Sequence, residues 1–60
     1  MTRIRTTNEI WSVNETYEEV LELIRSAMQY ENDFIEVTRA EQALRKMSIN
    51  RKHIISIFNP

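Results

Sequence analysis

The chain of 60 residues contains no cysteine and no glycine, and its one proline is residue 60. Without cysteine, neither a disulfide nor a cysteine-ligated zinc site can hold so small a fold together. Without glycine, the Walker A loop, the dinucleotide-binding glycine fingerprint and the nucleophile elbow are all excluded. Turns that need a positive φ therefore fall on asparagine or aspartate, which tolerate it next best.

Long apolar runs are also missing from the sequence. No segment approaches the roughly 18 apolar residues of a membrane span. The basic residues Arg3 and Arg5 are not followed by the apolar stretch of a secretory signal. We therefore expect a cytoplasmic protein without a membrane contact. With 42% hydrophobic and 28% charged residues, the composition indicates a folded chain and not a disordered one.

The small size of the chain predicts one domain, residues 1–60, that needs help to be stable. A chain this short buries only about 60% of the surface that its unfolded form exposes. One core of this size rarely supplies more than ~3–5 kcal/mol by itself. Disulfides are excluded and the sequence shows no cluster of metal ligands, so subunit contacts remain. We expect a homo-oligomer that uses neither a metal nor a cofactor.

Residues 15–29 form the clearest element, an amphipathic helix. Thr16 and Glu19 have the spacing of a capping box at its start. Leu23 lies beside the main apolar stripe and widens it. The stripe itself has the i, i+3, i+4 and i+7 spacing of one buried face. Its members are Tyr17, Val20, Leu21, Ile24, Ala27 and Met28.

Short strands are predicted on both sides of this helix. Residues 2–7 and 10–13 alternate in polarity around a turn at Asn8 and Glu9, which indicates a hairpin. After the helix come β-type segments at residues 34–39, 47–50 and 54–58, with a turn or bulge at residues 50–53. The prediction is an α+β fold of order β-β-α-β-β, with the helix on one small, mostly antiparallel sheet. The sheet residues expected to cover the helix are Ile35, Val37, Ile49, Ile55 and Ile57.

The middle of the chain allows a second interpretation, a single helix over residues 33–47. Residues 40–46 are strong helix formers, and Val37, Ala40, Leu44 and Met47 would form its stripe. The strand is favoured because residues 34–38 are mostly aromatic or β-branched, which suits a strand better than a helix. Residues 40–46 would then form a helical turn or a wide hairpin loop.

Two parts of the chain resemble the FlbD-type family of short β-rich proteins. Residues 34–39, Phe-Ile-Glu-Val-Thr-Arg, and residues 47–57, with an asparagine and then Ile-x-x-Ile, are similar to that family's strands. Residues 13–24 are similar to the strand and helix of its second half. The halves stand here in reverse order, as if permuted, and residues 40–46 replace an Asn-Gly turn. The resemblance implies a small β-rich fold with one helix, and it brings no catalytic residues. Small phage and plasmid proteins look similar.

Nothing in the sequence indicates catalysis. His53 is the only histidine, which excludes a histidine-pair metal site. The helix glutamates lie on its solvent face, whereas a catalytic carboxylate needs a cleft that shifts its pKa. We therefore expect a protein that is not an enzyme.

Aromatic residues supply the candidate protein interface. So small a fold cannot bury all of its aromatic side chains, and exposed ones usually anchor an interface. For Trp11, packing on the helix is an equally good interpretation. We expect a regulatory or inhibitory module, encoded by a phage and directed at a larger host enzyme or defence protein. The candidate interface residues are Trp11, Tyr30, Phe34, His53 and Phe58.

Nucleic-acid binding is the alternative function. If the outer strands pair, Arg3, Arg5, Arg39 and Arg51 share one sheet face, with Trp11 and Phe58 as stacking platforms. The net charge of −1 and the pI of about 5.7 disfavour this function, because such modules are usually basic. The candidate phosphate contacts are Arg3, Arg5, Arg39, Arg51 and Lys52.

Overall fold

A computed structural model describes residues 1–41 and 45–60. Two strands precede one helix and three strands follow it, which confirms the α+β class. A short 3-10 helix fills the turn predicted at residues 50–53. The elements are β1 (Thr2–Thr6), β2 (Ile10–Val13), α1 (Tyr17–Gln29), β3 (Phe34–Thr38), β4 (Lys46–Asn50), the 3-10 helix (Arg51–His53) and β5 (Ile54–Phe58).

The alternative of one helix over residues 33–47 is wrong for the described residues. Phe34–Thr38 is a strand whose five residues pair with Lys46–Asn50 in an antiparallel register. Its aromatic and β-branched side chains favour this pairing over a helix. Residues 42–44, inside the predicted turn of residues 40–46, lie outside the described residues.

The strands form two antiparallel sheets where one was expected. One sheet has the order β2-β1-β5 and the other pairs β3 with β4. In the first sheet β2 and β5 occupy both edges of β1. The remaining strands, β3 and β4, pair with each other. An isolated bridge between Val13 and Arg39 joins the sheets.

Helix α1 begins and ends with specific hydrogen bonds. The Thr16 Oγ1 accepts the N–H of Glu19 at 3.2 Å, and the Glu19 carboxylate accepts the N–H of Thr16 at 2.9 Å. This confirms the predicted capping box. At the other end, the Asn32 N–H donates to the Ala27 carbonyl at 2.7 Å and the Glu31 N–H to that of Met28 at 3.3 Å. These two bonds form a Schellman motif.

The left-handed residue of that motif is Glu31, with a φ of 56°. The sequence predicts asparagine or aspartate at a positive φ, and at this turn, where Asn32 and Asp33 follow Glu31, that prediction is wrong. The motif requires the left-handed conformation at the first residue after the C-cap. The C-cap is Tyr30, so this residue is Glu31. Asn32 instead uses its side-chain oxygen to accept the N–H of Phe34 at 3.2 Å.

One hydrophobic core unites both sheets and the helix. Leu21 and Met28, expected in the buried stripe, are exposed, whereas Leu23 packs against the core. The helix is therefore rotated towards Leu23, and its buried stripe combines that residue with Val20, Ile24 and Ala27. Val20, Ile24 and Ala27 belong to both the predicted stripe and the observed one. Only the position of the sheets therefore decides which side of the helix is buried. The buried core residues are Ile4, Val13, Val20, Ala27, Ile35, Val37 and Ile49.

Ile55 was also expected in the core, but it is 63% exposed. Ser56 pairs with Arg5 and Ile54 pairs with Thr6, which leaves Ile55 without a partner on β1. It is the extra residue of a bulge, and a bulge turns its residue out of the regular alternation. Ile54 takes its place against the core.

Candidate protein-interaction surface

Tyr30 and Phe34 line one groove between the end of α1 and the start of β3, which we call the aromatic groove. Tyr30 is 75% exposed and Phe34 is 53% exposed. The groove has a volume of about 340 Å³, and Leu23, Ala27 and Ile35 contribute apolar surface to it. Two large aromatic side chains thus stand in water beside an apolar wall.

The turn that carries these aromatic residues is held by contacts from the 3-10 helix. The Arg51 Nε donates to the Asn32 carbonyl at 2.8 Å, and the Arg51 N–H donates to the Asp33 carbonyl at 2.8 Å. The ammonium of Lys52 lies 3.4 Å from the carboxylate of Asp33. Ile35 is buried in the core, so the alternation of β3 turns its neighbour Phe34 to the opposite face.

Beyond Leu23 the aromatic groove continues into an acidic hollow of about 490 Å³. The Glu15 carboxylate there accepts the N–H of Thr38, at 2.9 and 3.1 Å. Glu36 lies 3.4 Å from the ammonium of Lys46. The hollow is therefore an open, partly neutralised surface. Its acidic lining residues are Glu15, Glu19, Glu22 and Glu36.

Trp11 and His53 line a different hollow, of about 230 Å³, beside the turn between β1 and β2. Trp11 is half-buried and packs against the core. The Arg39 guanidinium lies 4.9 Å from the centre of the Trp11 ring. The His53 Nδ1 lies 3.4 Å from the Thr7 Oγ1, and both side chains are exposed.

Phe58 lies apart from both hollows. It is half-buried on β5 and pairs with Arg3, whose side chain points away from the buried neighbours Thr2 and Ile4. The structure thus divides the five predicted interface residues among three places. Tyr30 and Phe34 share the aromatic groove, Trp11 and His53 share the second hollow, and Phe58 lies apart. Sequence reasoning missed that Leu23 and Ala27 border this groove, since no spacing shows where a helix crosses a strand.

The predicted basic face is not formed. Arg3 and Arg5 lie on the outer face of the three-stranded sheet, whereas Arg39 stacks on Trp11, which pairs with buried Ile4 on the inner face. Arg51 is bound to the turn after the helix, as described above. Arg39 and Arg51 do not belong to the strands of the β2-β1-β5 sheet. They therefore do not share a sheet face with Arg3 and Arg5.

Neither a known protein-family model nor a curated protein matches this chain. Within residues 1–41 and 45–60, no three histidine, aspartate or glutamate side chains lie close enough to hold a metal ion. In the same ranges, no helix is long and apolar enough to cross a membrane.

Proposed function

We propose that this protein is a small, non-enzymatic regulatory or inhibitory module that acts as a homo-oligomer and binds a larger protein. The proposal depends on one observation, the exposure of Tyr30 and Phe34 in the aromatic groove. Buried aromatic side chains contribute much of the binding energy at protein interfaces. Burial of these two rings by a partner would also cover the half-buried side chain of Leu23, which borders the groove.

The rigidity of the turn supports this role. The Schellman motif and the bonds from Arg51 fix the backbone on both sides of Tyr30 and Phe34. Binding therefore orders little more than the two side chains, and this lowers the entropy lost on association. An aromatic pair held in place before binding is typical of an interface anchor.

The alternative functions have less support from the arrangement of charged groups. The glutamates of the acidic hollow are open to solvent, and Glu15 and Glu19 are used by backbone N–H groups. Arg3, Arg39 and Arg51 point to different parts of the surface, so they do not form one track along a phosphate backbone. Protein binding is therefore proposed ahead of catalysis and of nucleic-acid binding.

The first test replaces Phe34 with alanine in an immobilised protein and compares what it captures from a lysate of its source cells. If the Phe34 ring contributes about 2 kcal/mol to the free energy of binding, its loss weakens binding by more than about tenfold. Met28→Ala is the matched control, because Met28 is 59% exposed but does not line the groove. A protein retained by the wild type and Met28→Ala, but lost from Phe34→Ala and Tyr30→Ala, supports the proposal.

The opposite result is equally clear. If every variant retains the same proteins in the same amounts, the aromatic groove is not the binding surface. A salt-sensitive complex with DNA or RNA that Arg51→Ala abolishes would favour the nucleic-acid alternative. Circular dichroism of each variant confirms that the fold has been kept.

A further inference from the structure

The strand β5 has an open edge. Within the described part of the chain it pairs only with β1, and no strand covers its other side. The Ser12 carbonyl accepts the N–H of Ala40 at 3.0 Å, so the polar backbone groups of Ser12 point away from β1. Arg3, which pairs with Ser12, must then turn its own N–H and C=O towards β5.

The same alternation fixes the direction of each residue in β5. Phe58 and Ser56 pair with Arg3 and Arg5, so their backbone groups point towards β1. Ile57 lies between them and pairs with Ile4, and its N–H and C=O point outwards. The free edge is thus centred on Ser56 and Ile57, and it offers a donor and an acceptor to another strand.

This edge lacks charged residues and proline, and the bulge at Ile55 lies towards one end of it. Natural edge strands commonly carry charged residues or proline, which block the addition of a further strand. None of the five residues of β5, Ile-Ile-Ser-Ile-Phe, is charged or proline, and Ile55 is 63% exposed. By contrast β4, which pairs only with β3, carries the charged Lys46.

We propose that β5 pairs antiparallel with β5 of a second copy, about a twofold axis at Ser56. The two three-stranded sheets then form one continuous six-stranded sheet. This inference names the interface of the homo-oligomer in the proposed function, and to that extent it depends on that function. The aromatic groove lies on other elements, so each subunit keeps its own.

A second copy fits this edge because the residues on both sides of Ser56 are uncharged. The twofold axis places Ser56 opposite itself, so no like charges of β5 meet across the axis. A twofold interface requires this kind of self-complementary surface. The two copies of Arg5 stand three strand spacings apart, about 14 Å. At that distance salt largely screens their repulsion.

The chain has no cysteine, so Ser56→Cys introduces a single thiol for a direct test. In the proposed dimer Ser56 forms a non-hydrogen-bonded antiparallel pair with itself, at a Cα–Cα distance of about 4.5 Å. This is within the range of about 4.4–6.8 Å that a disulfide spans. We expect rapid, nearly complete formation of a covalent dimer on mild oxidation at micromolar concentration.

Two other exposed serines, both at the border of the aromatic groove, supply controls away from β5. Ser26→Cys places the thiol on α1 and Ser48→Cys places it on β4. Both should cross-link at least tenfold more slowly than Ser56→Cys, in keeping with chance collisions. If Ser56→Cys is no faster than Ser26→Cys, or if Ser48→Cys is the fastest, the β5 interface is wrong.

Hydrogen exchange of the wild type provides a second measurement without a new side chain. The Ile57 N–H should become protected as the protein concentration rises, while the molar mass changes from the 7.2 kDa of the chain to twice that value. Ile55→Lys should give a folded monomer, because it adds a charge to the edge. A wild type that stays monomeric with an unprotected Ile57 N–H would overturn the inference.

The two proposals fail in different ways. If only the β5 interface is wrong, Phe34→Ala still loses the partner while the wild type is monomeric. If only the aromatic groove is wrong, Ser56→Cys still forms the covalent dimer while Phe34→Ala binds as the wild type does.

Discussion

At the scale of single residues, Glu31 holds an unfavourable backbone conformation that the fold requires. A left-handed conformation costs an L-residue with a Cβ roughly 1–2 kcal/mol. The Schellman motif at the end of α1 nevertheless puts a φ of 56° on this glutamate. Tyr30 comes directly before Glu31 and Phe34 comes three residues after it, so this backbone geometry helps to present the candidate anchors.

Replacement of Glu31 by glycine should therefore stabilise the protein. Glycine removes the steric cost, but its greater freedom in the unfolded chain offsets part of this gain. The free energy of unfolding should therefore rise by about 0.5–1 kcal/mol. For a chain of this size that raises the midpoint of thermal unfolding by about 2–8 °C. Differential scanning calorimetry measures the change.

Glu22→Gly is the control for this substitution. Glu22 is an exposed glutamate inside α1, where glycine costs about 1 kcal/mol, so this variant should melt at a lower temperature. If Glu31→Gly also lowers the midpoint, Glu31 does not hold the left-handed conformation in solution.

At the scale of elements, the rotation of α1 determines which leucine is structural. Leu23 is half-buried against the core, whereas Leu21 is exposed. The apolar pattern of the helix is broad enough to allow either side. The sheets resolve this, because β3 lies along the side of the helix that carries Leu23.

Leu23→Ala should therefore destabilise the protein more than Leu21→Ala. We expect a loss of about 2 kcal/mol for Leu23, at the low end of the range for buried leucine because its side chain is partly exposed. The loss for Leu21 should be less than about 1 kcal/mol. Urea unfolding followed by circular dichroism compares the two variants, and the reverse order would show that the helix is rotated towards Leu21.

At the scale of the whole molecule, one small core connects the two sheets and the helix. Its seven buried apolar residues come from β1, β2, α1, β3 and β4. Glu22 and Arg25 form an ion pair that is open to solvent on both sides. Pairs of this kind contribute about 0–1 kcal/mol each, so the stability of this chain depends chiefly on the core.

Truncation of one core residue should consequently unfold the whole chain. Ile4→Ala removes a completely buried side chain from β1, at a cost of about 2–5 kcal/mol. This equals most of the ~3–5 kcal/mol available to so small a core. We expect the loss of dispersed amide signals in a proton–nitrogen correlation spectrum.

The matched variant is Ile10→Ala, in the neighbouring strand of the same sheet. Ile10 is 49% exposed and pairs with Arg5, on the outer face, so its stability should change by no more than about 0.5 kcal/mol. An unfolded Ile10→Ala beside a folded Ile4→Ala would contradict the assignment of the two faces.

The sequence by itself determined the local features of this protein. The capping box at Thr16 and Glu19, the hairpin before the helix and the strands after it depend on residues a few positions apart. Such patterns act through neighbouring backbone groups, so they can be read without a partner element. The sequence also indicated Tyr30 and Phe34 as candidate anchors, because a core this small cannot bury all the aromatic side chains of the chain.

Only the tertiary structure decided how these elements meet. The rotation of α1, the division into two sheets and the separation of Arg39 from Arg3 all depend on contacts between distant parts of the chain. The bulge at Ile55 likewise exists only in the register between β5 and β1. Local spacing allows several such arrangements, and burial of the shared core selects one of them, because the core must be closed on all sides at once.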